Sequence, residues 1–231
     1  MKKIMTCLLS ISSIILLAGC SIKIPLIPNS NNNTKVNEVP ESKTITKKAN
    51  PSDNIETDAS TSANGKLIVF ITNKNSEAVS LEIEVEFYDE NNQLVKSGKD
   101  SLNGVRPNSE AALEIYETPE NYSTYKIYAD AEIDDFYITY DKELEVSDNN
   151  TGEEIAVQVK NNSENKIDWL SISVVFYKEG KTVGISEGLE SDIKAGRSAN
   201  FNISYAYDKN YDDVEFDDYK VFINEAYTYT D

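Results

Sequence analysis

An alternation of apolar and polar residues dominates the middle of the chain. Leu81-Glu-Ile-Glu-Val-Glu-Phe87 places every second side chain on one face, and Leu170-Ser-Ile-Ser-Val-Val-Phe176 closely repeats it. A period of two is typical of a β-strand with one face in a core and the other in water. Short runs rich in Val, Ile, Phe, Tyr and Thr surround these strands: Lys66 to Thr72, Leu94 to Ser97, Ala111 to Tyr116 and Tyr125 to Ala131. Because no stretch shows a sustained helical period, we expect an all-β antiparallel sandwich.

The same unit is present twice. Leu81, Ile83, Val85, Phe87 and Tyr88 align with Leu170, Ile172, Val174, Phe176 and Tyr177. Upstream, Phe70 to Glu77 is placed over Val157 to Glu164; downstream, Tyr125 to Tyr128 meets Tyr219 to Phe222. A recurrence this long indicates a tandem duplication. It predicts two β-sandwich domains, residues 54–140 and 141–231.

A short motif within the repeat resembles a known family. Val85-Glu-Phe-Tyr-Asp89, after the Asn75-Ser76 turn and before a turn near Pro107, is similar to the FxLYD-type domain of bacterial surface lipoproteins. The second copy has Lys178 where the motif prefers Asp, and both copies lack its Leu. The resemblance covers nearly all of residues 54–231. It implies two tandem immunoglobulin-like sandwiches and extracytoplasmic display, and no known reaction.

The start of the chain has the layout of a secretory signal peptide. Met1-Lys-Lys3 is positively charged, and Ile4 to Leu17 is mostly apolar. This run is shorter than the roughly 20 residues that a membrane-spanning helix needs. We therefore expect residues 1–19 to be a cleaved signal peptide.

Leu17-Ala-Gly-Cys20 resembles the lipobox of bacterial lipoproteins. The resemblance implies a diacylglyceryl group on the Cys20 sulfur, which becomes the mature N-terminus. Two acyl chains give a stable anchor, since each buried methylene contributes about 0.8 kcal/mol. The expected location is the outer face of the bacterial cytoplasmic membrane. The alternative is an ordinary cysteine in a cleavable signal.

Residues 20–53 are predicted to be a disordered tether. Asn, Ser, Thr, Pro and Lys dominate this segment, so it has too little apolar surface to offset the entropy of ordering it. A coil of this length spans roughly 30 Å. Its small positive charge is compatible with contact to anionic lipid or with a simple solvated linker.

The composition limits the chemistry. The chain has no histidine, and after cleavage its one cysteine is Cys20. Ser-His-Asp and Cys-His catalysis and the usual zinc sites are thereby excluded. A carboxylate-only mechanism stays open. We expect a protein that is not an enzyme and has no cofactor, apart from the calcium hypothesis below.

Acidic residues outnumber basic residues 37 to 15 in residues 54–231. Such a surface repels nucleic acid. It favours a cation or a basic partner, or serves only to keep the domains soluble. Glu82, Glu84 and Glu86 share one strand face at roughly 7 Å spacing and offer the same two interpretations.

A calcium site is one interpretation of Asp208, Asn210 and Asp212. They reproduce the alternating oxygen ligands at the start of a calcium loop. However, the expected glycine at the sixth position is Asp213, and the glutamate at the twelfth is Tyr219. An ordinary charged loop is the alternative. This segment makes the second domain longer than the first.

Tyrosine is abundant, with fourteen residues. A stacking surface for sugar or peptide is one role for Tyr205, Tyr207, Tyr211, Tyr227 and Tyr229; packing within a sheet is the other. Trp169 is expected to pack in the core or between the domains.

Three functional hypotheses follow. The first is a surface binding or adhesion module whose partner is an unknown protein or glycan. The second is a structural spacer or envelope-assembly component. The third is a carboxylate hydrolase, which requires two acids about 5 to 10 Å apart in a cleft.

Overall fold

The computed structural model describes residues 50–133 and 135–230, and most of these residues lie in strands. A 3₁₀ turn, Pro51–Asn54, precedes thirteen strands: β1 Ile55–Thr61, β2 Leu67–Asn73, β3 Val79–Tyr88, β4 Leu94–Val105, β5 Ser109–Ile115, β6 Thr124–Ile133, β7 Tyr137–Thr139, β8 Leu144–Asn150, β9 Glu154–Asn161, β10 Ile167–Lys178, β11 Lys181–Ile193, β12 Ser198–Ser204 and β13 Asp218–Tyr229. All pairings between these strands are antiparallel. The all-β antiparallel class predicted from the alternation is confirmed. In the described part of the chain, no helix has the length and apolar character needed to span a membrane.

The first sandwich consists of the sheets β1-β2-β5 and β4-β3-β6. Its core lies between them and is built from alternate residues of each strand: Leu67, Val69, Ile71, Val79, Leu81, Ile83, Val85, Phe87, Leu102, Val105, Ala111, Leu113, Ile115 and Ala131. The apolar residues of the alternating strand β3 all face inward, as its period of two predicts.

The second sandwich consists of the sheets β11-β10-β13-β7 and β12-β9-β8. Its core includes Ile155, Val157, Val159, Ile167, Leu170, Ile172, Val174, Phe176, Phe201, Ile203 and Ala226. The strand β7 lies within the range predicted for the first domain, but Thr139 pairs with Tyr227 of β13. Tyr140 also packs in this second core. The chain thus joins the second sandwich at β7.

A buried asparagine ends the second strand of each repeat. Asn73 donates through Nδ2 to the carbonyl of Val105 at 3.0 Å, and Asn161 donates in the same way to the carbonyl of Ile193 at 3.0 Å. Both asparagines are fully buried. They are therefore equivalent, although the sequence alignment placed Asn73 over Lys160. That alignment was wrong by one residue at this strand, a slip that reverses which side chains face the core.

The two sandwiches belong to one compact unit and pack against each other. The apolar part of their contact consists of Ala112, Val175 and Phe222, with Phe70, Tyr177 and Ile185 at its edge. Beside it, the Asn224 side chain accepts from the Ala112 backbone N–H at 3.0 Å and donates to the Ala112 carbonyl at 2.9 Å. Buried polar groups need such partners, so this contact fixes how the sandwiches meet.

Arg106 makes a second polar contact between the sandwiches. Its guanidinium donates to the Asp141 carboxylate at 2.8 Å and to the carbonyl of Ile223 at 3.0 Å. Burial lowers the pKa of Arg106, and the nearby Asp141 opposes this effect. Separation of the two sandwiches would break the bonds from Arg106 to Asp141 and to the carbonyl of Ile223.

Candidate functional site

A cleft of about 300 Å³ lies where loops of the two sandwiches meet. One wall comes from the β1–β2 turn and from the segment after β5 in the first sandwich. The other wall comes from the β12–β13 connection in the second. We call this site the tyrosine cleft and define it by Asn64, Gly65, Lys66, Glu114, Tyr116, Thr118, Pro119, Glu120, Tyr207, Asp208, Lys209 and Tyr211. Its volume is at the lower end of the range typical of ligand sites.

The wall from the second sandwich is a tight hairpin tip. The N–H of Val214 donates to the carbonyl of Ala206 at 2.9 Å, and the N–H of Asp208 donates to the carbonyl of Asp212 at 2.9 Å. The Asp208 carboxylate accepts from the N–H of Asn210 at 2.7 Å and from that of Asp212 at 3.2 Å. These hydrogen bonds lower the pKa of the Asp208 carboxyl. The tip is therefore ordered by its own side chain, in the manner of an Asx turn.

Two tyrosines project from this tip. The rings of Tyr207 and Tyr211 stack with their centroids 5.5 Å apart and their planes 23° from parallel. Tyr211 is 82% exposed and Tyr207 is 48% exposed. Tyr211 has a φ of +65°, which costs a residue with a side chain about 1 kcal/mol or more. The hairpin thus holds a strained residue whose ring faces solvent.

The wall from the first sandwich is ordered by side chains that bond to backbone. Ser62 donates through Oγ to the carbonyl of Lys66 at 2.9 Å, and the N–H of Lys66 donates to Oδ1 of Asn64 at 2.9 Å. Lys66 Nζ donates to the carbonyl of Tyr116 at 2.7 Å, while Asn64 Nδ2 donates to Glu114 Oε1 at 3.2 Å. The β1–β2 turn and the segment after β5 are thereby joined.

The two walls touch at Gly65 and Lys209. A Cβ on Gly65 would lie 2.7 Å from Cε of Lys209, and Gly65 has a φ of +85°. Close by, the N–H of Ala63 donates to the carbonyl of Val183 at 2.9 Å. Both observations show that the two sandwiches are in direct contact at this end.

Tyr116 is the third exposed tyrosine of the cleft, at 61% exposure. The negative charge of Glu187, partial burial and the charge of Glu114 together raise the pKa of Tyr116 to about 12. Its hydroxyl stays protonated at neutral pH and donates to Glu187 Oε2 at 3.5 Å.

The five tyrosines expected to stack do not form one surface. Tyr205 packs against Phe176 and Phe216 at the edge of the second core. Tyr227 and Tyr229 form a separate cluster with Tyr137. Only Tyr207 and Tyr211 of the five line the cleft. Tyr116 was not among the predicted tyrosines, because only the folded structure brings it close to Tyr207 and Tyr211. The hairpin that carries Tyr207 and Tyr211 was indicated by the extra length of the second domain.

The predicted calcium ligands lie on the same hairpin tip. Asp208 directs Oδ1 to two backbone N–H groups of the loop, and Asn210 Nδ2 lies 3.4 Å from Asp208 Oδ2. Within residues 50–133 and 135–230, no three side chains of Asp, Glu, Cys or His are grouped for metal binding. Calcium binding by Asp208, Asn210 and Asp212 stays a prediction.

The three glutamates of β3, Glu82, Glu84 and Glu86, have side-chain partners within their own sheet. Lys99 contacts Glu82 at 2.9 Å and Glu84 at 3.1 Å. Glu86 accepts from the hydroxyls of Tyr88 and Tyr128, which lowers its pKa. Each of the three glutamates therefore has a partner within its own sheet.

A second cleft, of about 250 Å³, is lined by Asp100, Glu187 and Glu225. Glu225 accepts from the N–H of Asn103 at 2.6 Å and from Nε1 of Trp169 at 2.9 Å, so it joins the two sandwiches. Trp169 is partly buried there. Desolvation raises the pKa of both Asp100 and Glu187. This is the place in the described structure where the hydrolase hypothesis can be tested.

Cys20, the predicted lipidation site, and residues 20–49 of the tether lie outside the described residues. In comparisons with known proteins, no family model matches this chain and no curated protein is significantly similar to it.

Proposed function

We propose that this protein is a lipoprotein anchored through Cys20 on the outer face of the bacterial cytoplasmic membrane, where it displays a non-catalytic binding module. The tyrosine cleft is the ligand-binding site. The observation that carries this proposal is the convergence of Tyr116, Tyr207 and Tyr211, all exposed, on one cleft. Tyrosine offers a large apolar face and a polar tip, so it is favoured where proteins bind partners.

The walls of the cleft support this proposal because they are ordered before any ligand arrives. Hydrogen bonds within each loop order the backbone that carries the cleft. A preformed site loses less conformational entropy on binding than a mobile one. Strained residues such as Tyr211 are also concentrated at binding and active sites.

The N-terminal sequence supports the location. The charged and apolar start, the lipobox-like Leu17-Ala-Gly-Cys20 and the polar segment after it are the parts that an anchored extracytoplasmic protein requires. The resemblance to FxLYD-type domains points the same way. A strongly acidic surface opposes nucleic acid as a partner, and the partner that we propose is a protein or a glycan.

A structural spacer is the second candidate function. It is favoured by the polar contacts of Asn224 and Arg106, which hold the two sandwiches in one arrangement. A spacer needs a fixed shape and no ligand. The two candidates therefore differ in whether the tyrosine cleft contacts another molecule in the cell.

Photo-crosslinking on intact cells tests the proposal. A benzophenone amino acid replaces Tyr211 in the full-length lipoprotein, and the matched control places it at Tyr128, an exposed tyrosine on β6 of the first sandwich. We expect an adduct from position 211 that is absent from position 128. Equal labelling at both positions, or none at 211, would contradict a binding role for the cleft.

A further inference from the structure

The charges that line the tyrosine cleft are nearly balanced, and three of the five charged groups are engaged within the protein. Two lysines, Lys66 and Lys209, stand against three carboxylates, Glu114, Glu120 and Asp208. This contrasts with residues 54–231 as a whole, where acidic residues outnumber basic ones 37 to 15. The cleft is therefore a patch of low net charge on a strongly acidic surface.

Three of these charged groups already have partners. Glu114 is buried and accepts from Asn64, while Lys66 donates to the carbonyl of Tyr116. Asp208 bonds to the backbone of its own loop. A charged ligand would have to compete with these contacts, and desolvating its own charge would add to the cost. An uncharged ligand avoids both costs.

The remaining surface consists of aromatic faces with polar groups around them. Tyr211 presents one ring face to solvent because its other face stacks on Tyr207. Tyrosine rings have electron-rich faces, which suit the C–H groups on the flat face of a sugar ring. The hydroxyl of Tyr116 donates its proton to Glu187 Oε2 at 3.5 Å, so its oxygen is oriented to accept a hydrogen bond from a sugar hydroxyl.

The lining segments also argue against an extended peptide. Apart from Glu114, which lies near the end of β5, the lining residues belong to the β1–β2 turn, the segment after β5 and the hairpin tip, where the chain forms no more than an isolated bridge. Strand addition needs a sheet edge, and peptide grooves use rows of apolar pockets. The polar groups of this cleft are mainly side chains placed around three rings.

We propose that the tyrosine cleft binds a neutral saccharide, whose ring stacks on Tyr211 and whose hydroxyls bond to Tyr116 and its neighbours. This inference rests on the proposed function and specifies its ligand class. The ligand is uncharged, so its affinity is insensitive to salt, in contrast to that of an ionic partner.

The test uses the full-length lipoprotein in zwitterionic detergent micelles, since sugar-based detergents would compete. The probes are neutral oligomers of glucose, galactose, mannose and N-acetylglucosamine, and binding is measured by saturation-transfer NMR and titration calorimetry. The variants are Tyr211→Gly, which relieves the positive φ while removing the ring, and Tyr116→Ala. Tyr128→Ala is the matched control. Thermal unfolding verifies that each variant is folded.

We expect at least one of these saccharides to bind, with affinity reduced about 10-fold or more by Tyr211→Gly and unchanged by Tyr128→Ala. The affinity should be the same at low and high sodium chloride. Binding that Tyr211→Gly leaves intact, or no binding by any probe, overturns the saccharide assignment. If no probe binds but a protein crosslinks specifically from position 211, the cleft is still a binding site and only the ligand class is wrong. If neither occurs, the proposed function also fails.

Discussion

Asn224 of the second sandwich binds both polar groups of the Ala112 peptide backbone in the first. It accepts from the N–H and donates to the carbonyl, at 3.0 and 2.9 Å. Asn224 is available for this contact because it has no strand partner: Ser171 pairs with Glu225, and Ile172 pairs with Ile223. One extra residue in β13 forms a bulge, and bulges redirect side chains in this way.

Replacing Asn224 by Ala should lower the free energy of unfolding by about 2 kcal/mol, because the buried N–H of Ala112 loses its partner. The Ala112 carbonyl keeps its bond from Ser173 Oγ at 2.9 Å, which limits the loss. Urea denaturation measures the change. Asn202→Ala, at an exposed position of β12, is the control and should change stability by less than about 0.5 kcal/mol. Equal effects of the two substitutions would contradict the role assigned to Asn224.

Asn73→Ala and Asn161→Ala should be similarly damaging, each costing about 2 to 4 kcal/mol. Each asparagine lies at the end of its strand and donates to at least two backbone carbonyls from other segments of the chain. These carbonyls would lose their donor in the alanine variants. The measurement is chemical denaturation of both variants beside Asn162→Ala, which changes an exposed neighbour. A large effect in one repeat and none in the other would show that the two positions are not equivalent.

Comparing Gly65→Ala with Gly152→Ala distinguishes the effect of backbone strain from the effect of a steric contact in the tyrosine cleft. Both glycines have positive φ, +85° and +93°, but only Gly65 has a neighbour within 4 Å, the Lys209 side chain. Each substitution should lower the free energy of unfolding by about 1 kcal/mol, because alanine is strained at a positive φ. The end of Lys209 is flexible, so the contact shifts this side chain at little further cost.

Only Gly65→Ala should therefore disturb the tyrosine cleft. NMR spectra of Tyr207 and Tyr211 ring protons report this directly, with movement expected for Gly65→Ala and none for Gly152→Ala. If both variants leave the ring signals unchanged, the two walls do not meet as described.

Stability should depend on pH through Glu187. Glu187 is exposed as a residue, but partial desolvation of its carboxyl, together with the charges of Asp100 and Glu114, raises its pKa. A group with a raised pKa binds its proton more tightly in the folded state. It therefore stabilises the fold fully below its unfolded pKa of about 4, and this contribution is lost as the pH rises through the folded pKa.

The Glu187→Gln variant isolates this contribution. Other carboxyls, such as that of Asp208, have lowered pKa values and act in the opposite direction, so total stability alone is a poor measure. Relative to the unsubstituted protein, Glu187→Gln should become progressively more stable as the pH rises above about 4 and through the raised folded-state pKa of Glu187. Glu190, like Glu187, is an exposed residue of β11, and Glu190→Gln is the matched control that should show no such trend. Parallel pH curves for the unsubstituted protein and Glu187→Gln would refute this interpretation.

The strands were predictable because their signal is local. In β3 the apolar residues Leu81 to Phe87 alternate with glutamates, and a period of two leaves one arrangement that buries them. The repeat was visible for the same reason. Its alignment slipped at Asn73, since the motif Asn-Ser-Glu occurs at a slightly different distance from the strand in each copy.

The cleft was not predictable because it is assembled from distant parts of the chain. Tyr116 and Tyr207 belong to different repeats, and nothing in either local sequence indicates that they meet. The bulge at Asn224 left only a weak trace, the polar pair Asn224-Glu225 within an otherwise apolar stretch. Contacts between the two sandwiches depend on how the folded units pack. The alternation of apolar and polar residues predicts the strands but not this packing.

Anchoring at Cys20 is the claim on which extracytoplasmic display depends. Its most direct test is metabolic labelling with an alkynyl palmitate, followed by membrane fractionation of the unsubstituted protein and Cys20→Ala. We predict a labelled, membrane-bound protein and an unlabelled Cys20→Ala variant that leaves the membrane or keeps its signal peptide. An unlabelled protein, together with a Cys20→Ala variant that is processed and membrane-bound to the same extent, would contradict the account.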